Sequence, residues 1–340
     1  MAVIAASLKP HSVLIATDFS EASEKVLRHS LALARSYGSR FCLAHVVSSL
    51  GARMAGPGAI AACEEAVLRE AAQLEASLVR SGALAGIQHK FIVRRGEPWP
   101  ELQQILRQES ADLVIVGTNG RQGVARLFFG SIAEHILRQA SCPVLVFGPR
   151  SRNDCWIESP SKHPTFLFAT DFGKASLQGL PQAIALANHF EARLAFLNVV
   201  SASPPQRGLD ADIREPRNSA YQQAVRRLTE LAGNANLHVT PECHVVFQST
   251  KPVSETILET AQELRADLII MALHSPARSG LTSRLRSTTG YDVVCQAISP
   301  VLSVYNPSGT ISFGPAAAEI TAPPLSDADL IRIRGFGVKW

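Results

Sequence analysis

The chain repeats itself, and that most limits what it can fold into. The segment LIATDFSEAS, Leu14 to Ser23, returns as LFATDFGKAS, Leu167 to Ser176, displaced by 153 residues. ADLVIVG from Ala111 recurs as ADLIIMA from Ala266, displaced by 155, and SCPVLVF from Ser141 recurs as ISPVLSV from Ile298, displaced by 157. The landmarks keep one order, and the slowly growing offset means small insertions between them. Two copies of one domain, in a chain of 340 residues, are the economical reading. The expected layout is a first domain over residues 1–149, a polar, proline-bearing linker over 150–164, a second domain over 165–306 and a Pro/Ala/Gly-rich tail over 307–340.

Within one copy, short apolar runs alternate with amphipathic segments. Val13 to Ala16, Phe41 to Val47, His89 to Gly96, Asp112 to Gly117 and Pro143 to Phe147 read as strands. Helices read as a segment after Ser20, taken as an N-cap, then Ala61 to Gly82, Pro100 to Ser110 and Ser131 to Ala140. Apolar runs without alternation mark strands covered on both faces, so the fold class is α/β: two tandem doubly wound, Rossmann-like or flavodoxin-like domains, each with a five-stranded parallel sheet. Ligands of such sheets sit beyond the C-terminal strand ends, which brings Ala16 to Phe19, Val46 to Ser48 and the loop after Gly117 to one crevice.

That loop carries the chemistry. In GTNGRQGVARLFFGSIAEHILRQASCPVLVF, Gly117 and Gly120 follow a buried strand, and nine residues later Gly130-Ser131 opens an amphipathic helix. Glycine amides and a helix N-terminus pointing into one space favour an anion, and a triphosphate fits. Ser131 is expected to cap the helix and to donate to a terminal phosphate, with Arg121 and Arg126 as longer-range cations. The alternative is a turn and a capped helix whose glycines serve packing alone.

With this spacing the chain resembles the universal stress protein family, whose signature G-x2-G-x9-G-[ST] it matches at Gly117, Gly120, Gly130 and Ser131. The resemblance implies an ATP site, with or without Mg2+. Ala16 and Thr17 would line the base, Asp18 would meet the nucleoside side and Val46 would offer backbone contacts to adenine. Val116, Gly117, Asn119, Gly120, Gly130, Ser131 and Ile132 would wrap the phosphates. It also implies pairing of the two copies as an intramolecular pseudo-dimer, and it is compatible with a homodimer of chains. An Asp ahead of a helix is also a common cap, which is the second reading of Asp18.

The second copy keeps Thr170-Asp171 but replaces Gly117 with Ala272, places Ser275 near the position of Gly120, and puts Ser287-Thr288 where Gly130-Ser131 stand. Arg278, Arg284 and Arg286 leave its loop basic. An inactive or altered second site is expected.

Other function classes find little support in the sequence. HExxH, GxSxG and a Walker A lysine are absent, and the ten histidines show no metal-ligand spacing. His45 reads as a packed imidazole, and His238 to His244 as a strand. Six cysteines without a CxxC pair read as reduced thiols. A net charge of +4 is too mild for a nucleic-acid footprint, and no run approaches the ~18 apolar residues of a membrane span. The start, MAVIAASLKP, makes a poor signal peptide, so a cytoplasmic location is expected. The functional expectation is a nucleotide-binding stress protein that binds rather than turns over. The alternatives are a nucleotide-independent scaffold and a slow ATPase switch.

Overall fold

The structure, a computed structural model, describes residues 9–20, 22–48, 57–118, 130–158, 163–201, 214–248, 250–273 and 289–304. The first half runs β1 (Ser12–Ala16), α1 (Ala22–Tyr37), β2 (Arg40–Ser48), α2 (Pro57–Arg80), β3 (His89–Gly96), α3 (Pro98–Gln108), β4 (Leu113–Gly117), α4 (Ser131–Gln139) and β5 (Val144–Phe147). After a short 3-10 turn at Trp156–Glu158 the second half repeats the order: β6 (Thr165–Ala169), α5 (Lys174–His189), β7 (Arg193–Ser201), α6 (Arg214–Asn234), β8 (Glu242–Gln248), α7 (Val253–Glu263), β9 (Leu268–Met271), α8 (Thr289–Gln296) and β10 (Val301–Ser303).

Among the described residues, ten strands form one sheet in the order β3-β2-β1-β4-β5-β10-β9-β6-β7-β8. Each half has the doubly wound order 3-2-1-4-5, so the strand order reverses between β1 and β4 in the first half and between β6 and β9 in the second. Pairing within a half is parallel, and only β5 and β10 run antiparallel, with Val146 opposite Val301 and Leu145 opposite Leu302.

Side-chain alternation along the strands builds two apolar layers. Val13, Ile15, Leu43, Ile115 and Phe147 join Phe168 and Phe196 under α1, α5 and α6. Leu14, Val114 and Val146 join Leu167, Ile269 and Val301 under α3, α4, α7 and α8. Each layer passes from one half to the other without interruption. Burial of each such Leu or Phe stabilises by roughly 1.5–3 kcal/mol, so the seam is part of the core.

The seam joins matching positions. Leu145 and Leu302 are equivalent under the 157-residue offset, and Ser36 and His189 under the 153-residue offset. Ser36 Oγ lies 2.7 Å from His189 Nε2, and the His189 ring stacks on Tyr37 with centroids 3.9 Å apart and planes 14° apart. A contact that joins equivalent positions is isologous, as across a two-fold axis. The described part of the connecting segment is also anchored. Lys25 Nζ donates to Ser151 O at 3.0 Å, Arg152 N donates to Ile298 O at 2.9 Å, and Trp156 packs edge-on to Phe166 and Phe190.

Local boundaries differ from the sequence reading in two instructive places. The strand expected over His238 to His244 begins at Glu242, because Pro241 has no N–H to give to a ladder. Ser20, read as the cap of α1, instead directs its hydroxyl to Asp18 Oδ1 at 2.7 Å. Residues 305–340, which include the tail, lie outside the described residues.

Candidate nucleotide site

The crevice starts where β1 ends. Ala16, Thr17 and Asp18 are half-buried, and Thr17 N donates to Ala44 O at 3.0 Å, which extends the β1–β2 ladder by one step. The chain then turns sharply: Phe19 N donates to Thr17 Oγ1 at 3.0 Å, and Phe19 takes a φ of 58°. Asp18 Oδ1 accepts from Ser20 N at 3.1 Å, Ser20 Oγ at 2.7 Å and Ser23 Oγ at 3.1 Å. The carboxylate therefore organises the turn that leads into α1. At the end of β2, His45 Nδ1 lies 2.7 Å from Thr17 O and the ring meets that of Phe19 at 5.2 Å. The imidazole read as a packing group is thus also a tether for the turn. Val46 is half-buried in the same apolar layer as Ala16.

The other wall comes from β4 and α4. Val116 is buried, and Gly117 is the last residue of β4. A Cβ at Gly117 would sit 3.3 Å from Val26 Cγ2, so packing of α1 on the strand already asks for a glycine here. Thr118, which the sequence reading passed over, is the hub: its N donates to Phe147 O at 3.0 Å and its carbonyl accepts from Gly130 N at 3.2 Å. This bond holds the N-terminus of α4 against the end of β4 across a segment of eleven residues, 119–129. A Cβ at Gly130 would stand 3.3 Å from that same Thr118 carbonyl, so the approach is close.

Gly130 is the N-cap of α4, with φ −60° and ψ 137°, and its carbonyl accepts from Glu134 N at 3.0 Å. Ser131, expected to cap, is the first helical residue instead. Ile132, in the first turn, is 37 % exposed. The first-turn amides of a helix have no intrahelical acceptor, so this terminus carries a partial positive charge beside β4. Asn119, Gly120, Arg121 and Arg126 lie outside the described residues.

The second half repeats the turn and changes the wall. Phe172 N donates to Thr170 Oγ1 at 3.0 Å, Phe172 also has a φ of 58°, and Asp171 Oδ1 accepts from Gly173 N and Ser176 Oγ. Asn198 takes the place of His45, with Nδ2 donating to Thr170 O at 2.8 Å. At the end of β9, however, Ala272 and Leu273 are both buried, and Leu273 fills the space where a Cβ on Gly290 would collide with its Cδ2. The offsets make Leu273 and Gly290 the counterparts of Thr118 and Ala133. Ser275, Arg278, Arg284, Arg286, Ser287 and Thr288 lie outside the described residues.

Among the described residues there is no group of three or more His, Cys, Asp or Glu side chains able to hold a metal ion, and no helix is long and apolar enough to cross a membrane. The described cysteines are unpaired thiols. Burial pushes Cys42 and Cys142 up to about 12 and Cys243 up to about 11, while Cys63 is exposed on α2.

Known proteins share this architecture. A universal stress protein of Methanocaldococcus jannaschii is 26% identical over 135 residues, which are 39% of this chain and 79% of the relative. One of Mycobacterium bovis is 26% identical over 217 residues, 60% of this chain and 65% of the relative. The crystal structure of a universal stress protein from Archaeoglobus fulgidus covers 87% of this chain and 98% of its own, with a TM-score of 0.61 and 20% identity, a likeness of fold. The sequence profile of the universal stress protein family matches residues 10–148 and again 163–304. One match falls on each copy of the fold and together they span most of the chain, which therefore belongs to the universal stress protein family.

Proposed function

We propose that the first half binds an adenine nucleotide, ATP, alone or with Mg2+, and that binding rather than turnover is its contribution to a stress response. The observation that carries this reading is the bond from Gly130 N to Thr118 O, which brings a helix N-terminus to a strand end at the point where the strand order reverses. Val116, Gly117, Gly130 and the first turn of α4 at Ser131 and Ile132, with Asn119 and Gly120 of the signature, would hold the phosphates. Ala16, Thr17 and Val46 would line the nucleoside, with Asp18 fixing the turn that shapes this wall. Small residues fit such a role, since a phosphate oxygen must approach within hydrogen-bond reach of backbone amides.

The altered second wall supports one nucleotide per chain. Leu273 offers a buried apolar side chain where the first half offers a threonine, and Ala272 adds a Cβ where the first half has Gly117. The antiparallel β5–β10 pair supports an intramolecular pseudo-dimer in which each half covers the other's sheet edge. Calorimetric titration of the full chain with ATP tests the reading: one site is expected, lost in Gly130→Val. Two equivalent sites, or wild-type affinity in Gly130→Val, would sink it. A time course of ADP release separates binding from slow turnover.

A further inference from the structure

Among the described residues, the large apolar side chains that stand exposed are Leu68, Val79, Ile132 and Ile298, and two of them share α2. Leu68 is 49 % and Val79 56 % exposed. They lie eleven residues apart, close to three whole turns, so both fall on one line of the helix, with the exposed Ala72 between them. The inward face of α2 is a different one: Val67 and Ala71 are buried, and Leu74 and Leu78 pack on the core. Glu70, Gln73 and Leu74 line a cavity of about 340 Å³ together with Phe19 and, from α1, Leu27. On the other side, Glu75 lies 3.5 Å from His89 Nε2 of β3, the outermost strand of the sheet. The line from Leu68 to Val79 therefore looks outward above that edge, away from α1.

The charges beside this line repeat with the same period. Glu64 returns as Glu75, Leu68 as Val79 and Arg69 as Arg80, each displaced by eleven. At about 100° per residue, both glutamates fall on one flank of the apolar line and both arginines on the other. Glu65, on the arginine side, stands at the i, i+4 spacing from Arg69. Beside His89, Glu75 keeps 42 % of its side chain exposed. The helix that holds the same place in the second half has no such order. The described residues of α6 expose Gln222, Gln223, Arg226, Arg227 and Glu230 and no large apolar side chain, and the Arg227 guanidinium lies over the Phe172 ring at 4.3 Å from its centroid. An outward apolar line is thus not something the fold demands at this position.

We propose that α2 is a contact surface for a second copy of this chain, with the two α2 helices running parallel about a two-fold axis between them. Leu68, Ala72 and Val79 each meet the same residue of the second copy, and the small Ala72 lets the backbones approach. The charges select this occupant and its direction. In a parallel pair the acidic flank of each helix meets the basic flank of the other, so Glu64 faces Arg69 and Glu75 faces Arg80 of the second copy. In an antiparallel pair each flank meets itself, glutamate against glutamate and arginine against arginine. The surface is complementary to itself in one orientation only, and a period of eleven keeps the line continuous along the helix. The β5–β10 seam is closed within the chain, so this contact is a separate one, and it does not depend on the nucleotide reading.

Sedimentation equilibrium of the full chain over about 1–500 μM tests the proposal; one helix per copy makes a small interface, so a dimer with a Kd of about 10–100 μM is expected. Arg69→Glu with Arg80→Glu should be monomeric over that range, and so should Glu64→Arg with Glu75→Arg. An equimolar mixture of the two variants should dimerise again, which also shows that both fold. Direction is read from disulfides in a Cys63→Ser background, which removes the exposed thiol of α2. Under mild oxidation Val79→Cys should link to itself, because a parallel pair brings position 79 to its own counterpart. Ala66→Cys, beyond the arginine flank, should link about tenfold more slowly or less. A wild-type chain that stays monomeric, a mixture that stays monomeric, or equal linking at the two positions would overturn the proposal. The first of these outcomes would leave the line to residues 305–340 of this chain or to a different protein.

Discussion

The two halves of this chain share a turn and differ in a wall. At the ends of β1 and β6, Thr-Asp-Phe repeats the Phe N to Thr Oγ1 bond and the Asp Oδ1 acceptance from the amide two residues on, down to the positive φ of Phe19 and Phe172. At the ends of β4 and β9, Thr118 with Ala133 becomes Leu273 with Gly290, and the bulk has moved from the helix to the strand end. The comparison separates the features that both halves share from those that one half carries alone. An Asp that organises the turn ahead of a helix in both halves is a structural element first, whereas the glycine spacing found in one half only is what the proposed nucleotide site rests on.

The largest effect is expected at the seam. Val146 is fully buried opposite Val301, so Val146→Asp places a charge in the core where no partner stands and should cost at least about 3 kcal/mol. Urea unfolding should show both halves losing stability together, with faster proteolysis of the connecting segment. If only the first half is weakened, the halves are energetically separate and the continuous apolar layers do not couple them.

Next comes the exchanged pair. Gly290→Ala should destabilise by about 1–3 kcal/mol because its Cβ meets Leu273, and Leu273→Thr added to it should recover much of that loss. Additive costs in the double variant, read from thermal unfolding, would show that the two positions do not compensate each other.

A smaller effect separates structure from binding at the shared turn. Asp18→Ala and Asp171→Ala each remove bonds at a helix entrance and should each cost about 1–2 kcal/mol. Only Asp18→Ala should also weaken ATP, and it should weaken ATP more than inorganic triphosphate, since the nucleoside wall is what the turn shapes. Equal loss of both ligands would place the carboxylate at the phosphates instead.

The smallest is a difference of reactivity. Desolvation disfavours the thiolate, so Cys42 and Cys142, raised to about 12, hold on the order of one part in ten thousand thiolate at pH 8. Alkylation at that pH should therefore concentrate on the exposed Cys63 of α2, leaving the second half, with buried Cys243 and Cys295, nearly unlabelled. Peptide mapping that finds Cys243 modified as fast as Cys63 would show that the second half opens more readily than its packing suggests.

By itself the sequence determined the repeat, the alternation of strand and helix, and the placing of Gly117 and Gly130 at a strand end and a helix start. These are local properties, written in apolar runs, turn residues and spacing, and so a linear reading recovers them. It did not reveal that Thr118 ties Gly130 to the strand, that His45 holds the turn, or that Asp18 is engaged by Ser20 and Ser23. Each is a matter of which atom lies nearest once the chain has closed, and several side chains could have met the same need. Only the tertiary structure decided that ten strands make one sheet through β5 and β10, that Leu273 is admitted by Gly290, and that Arg227 covers Phe172 while Phe19 faces a cavity. These outcomes rest on contacts between residues far apart in the chain, where shape and volume select the partner and no local pattern records it.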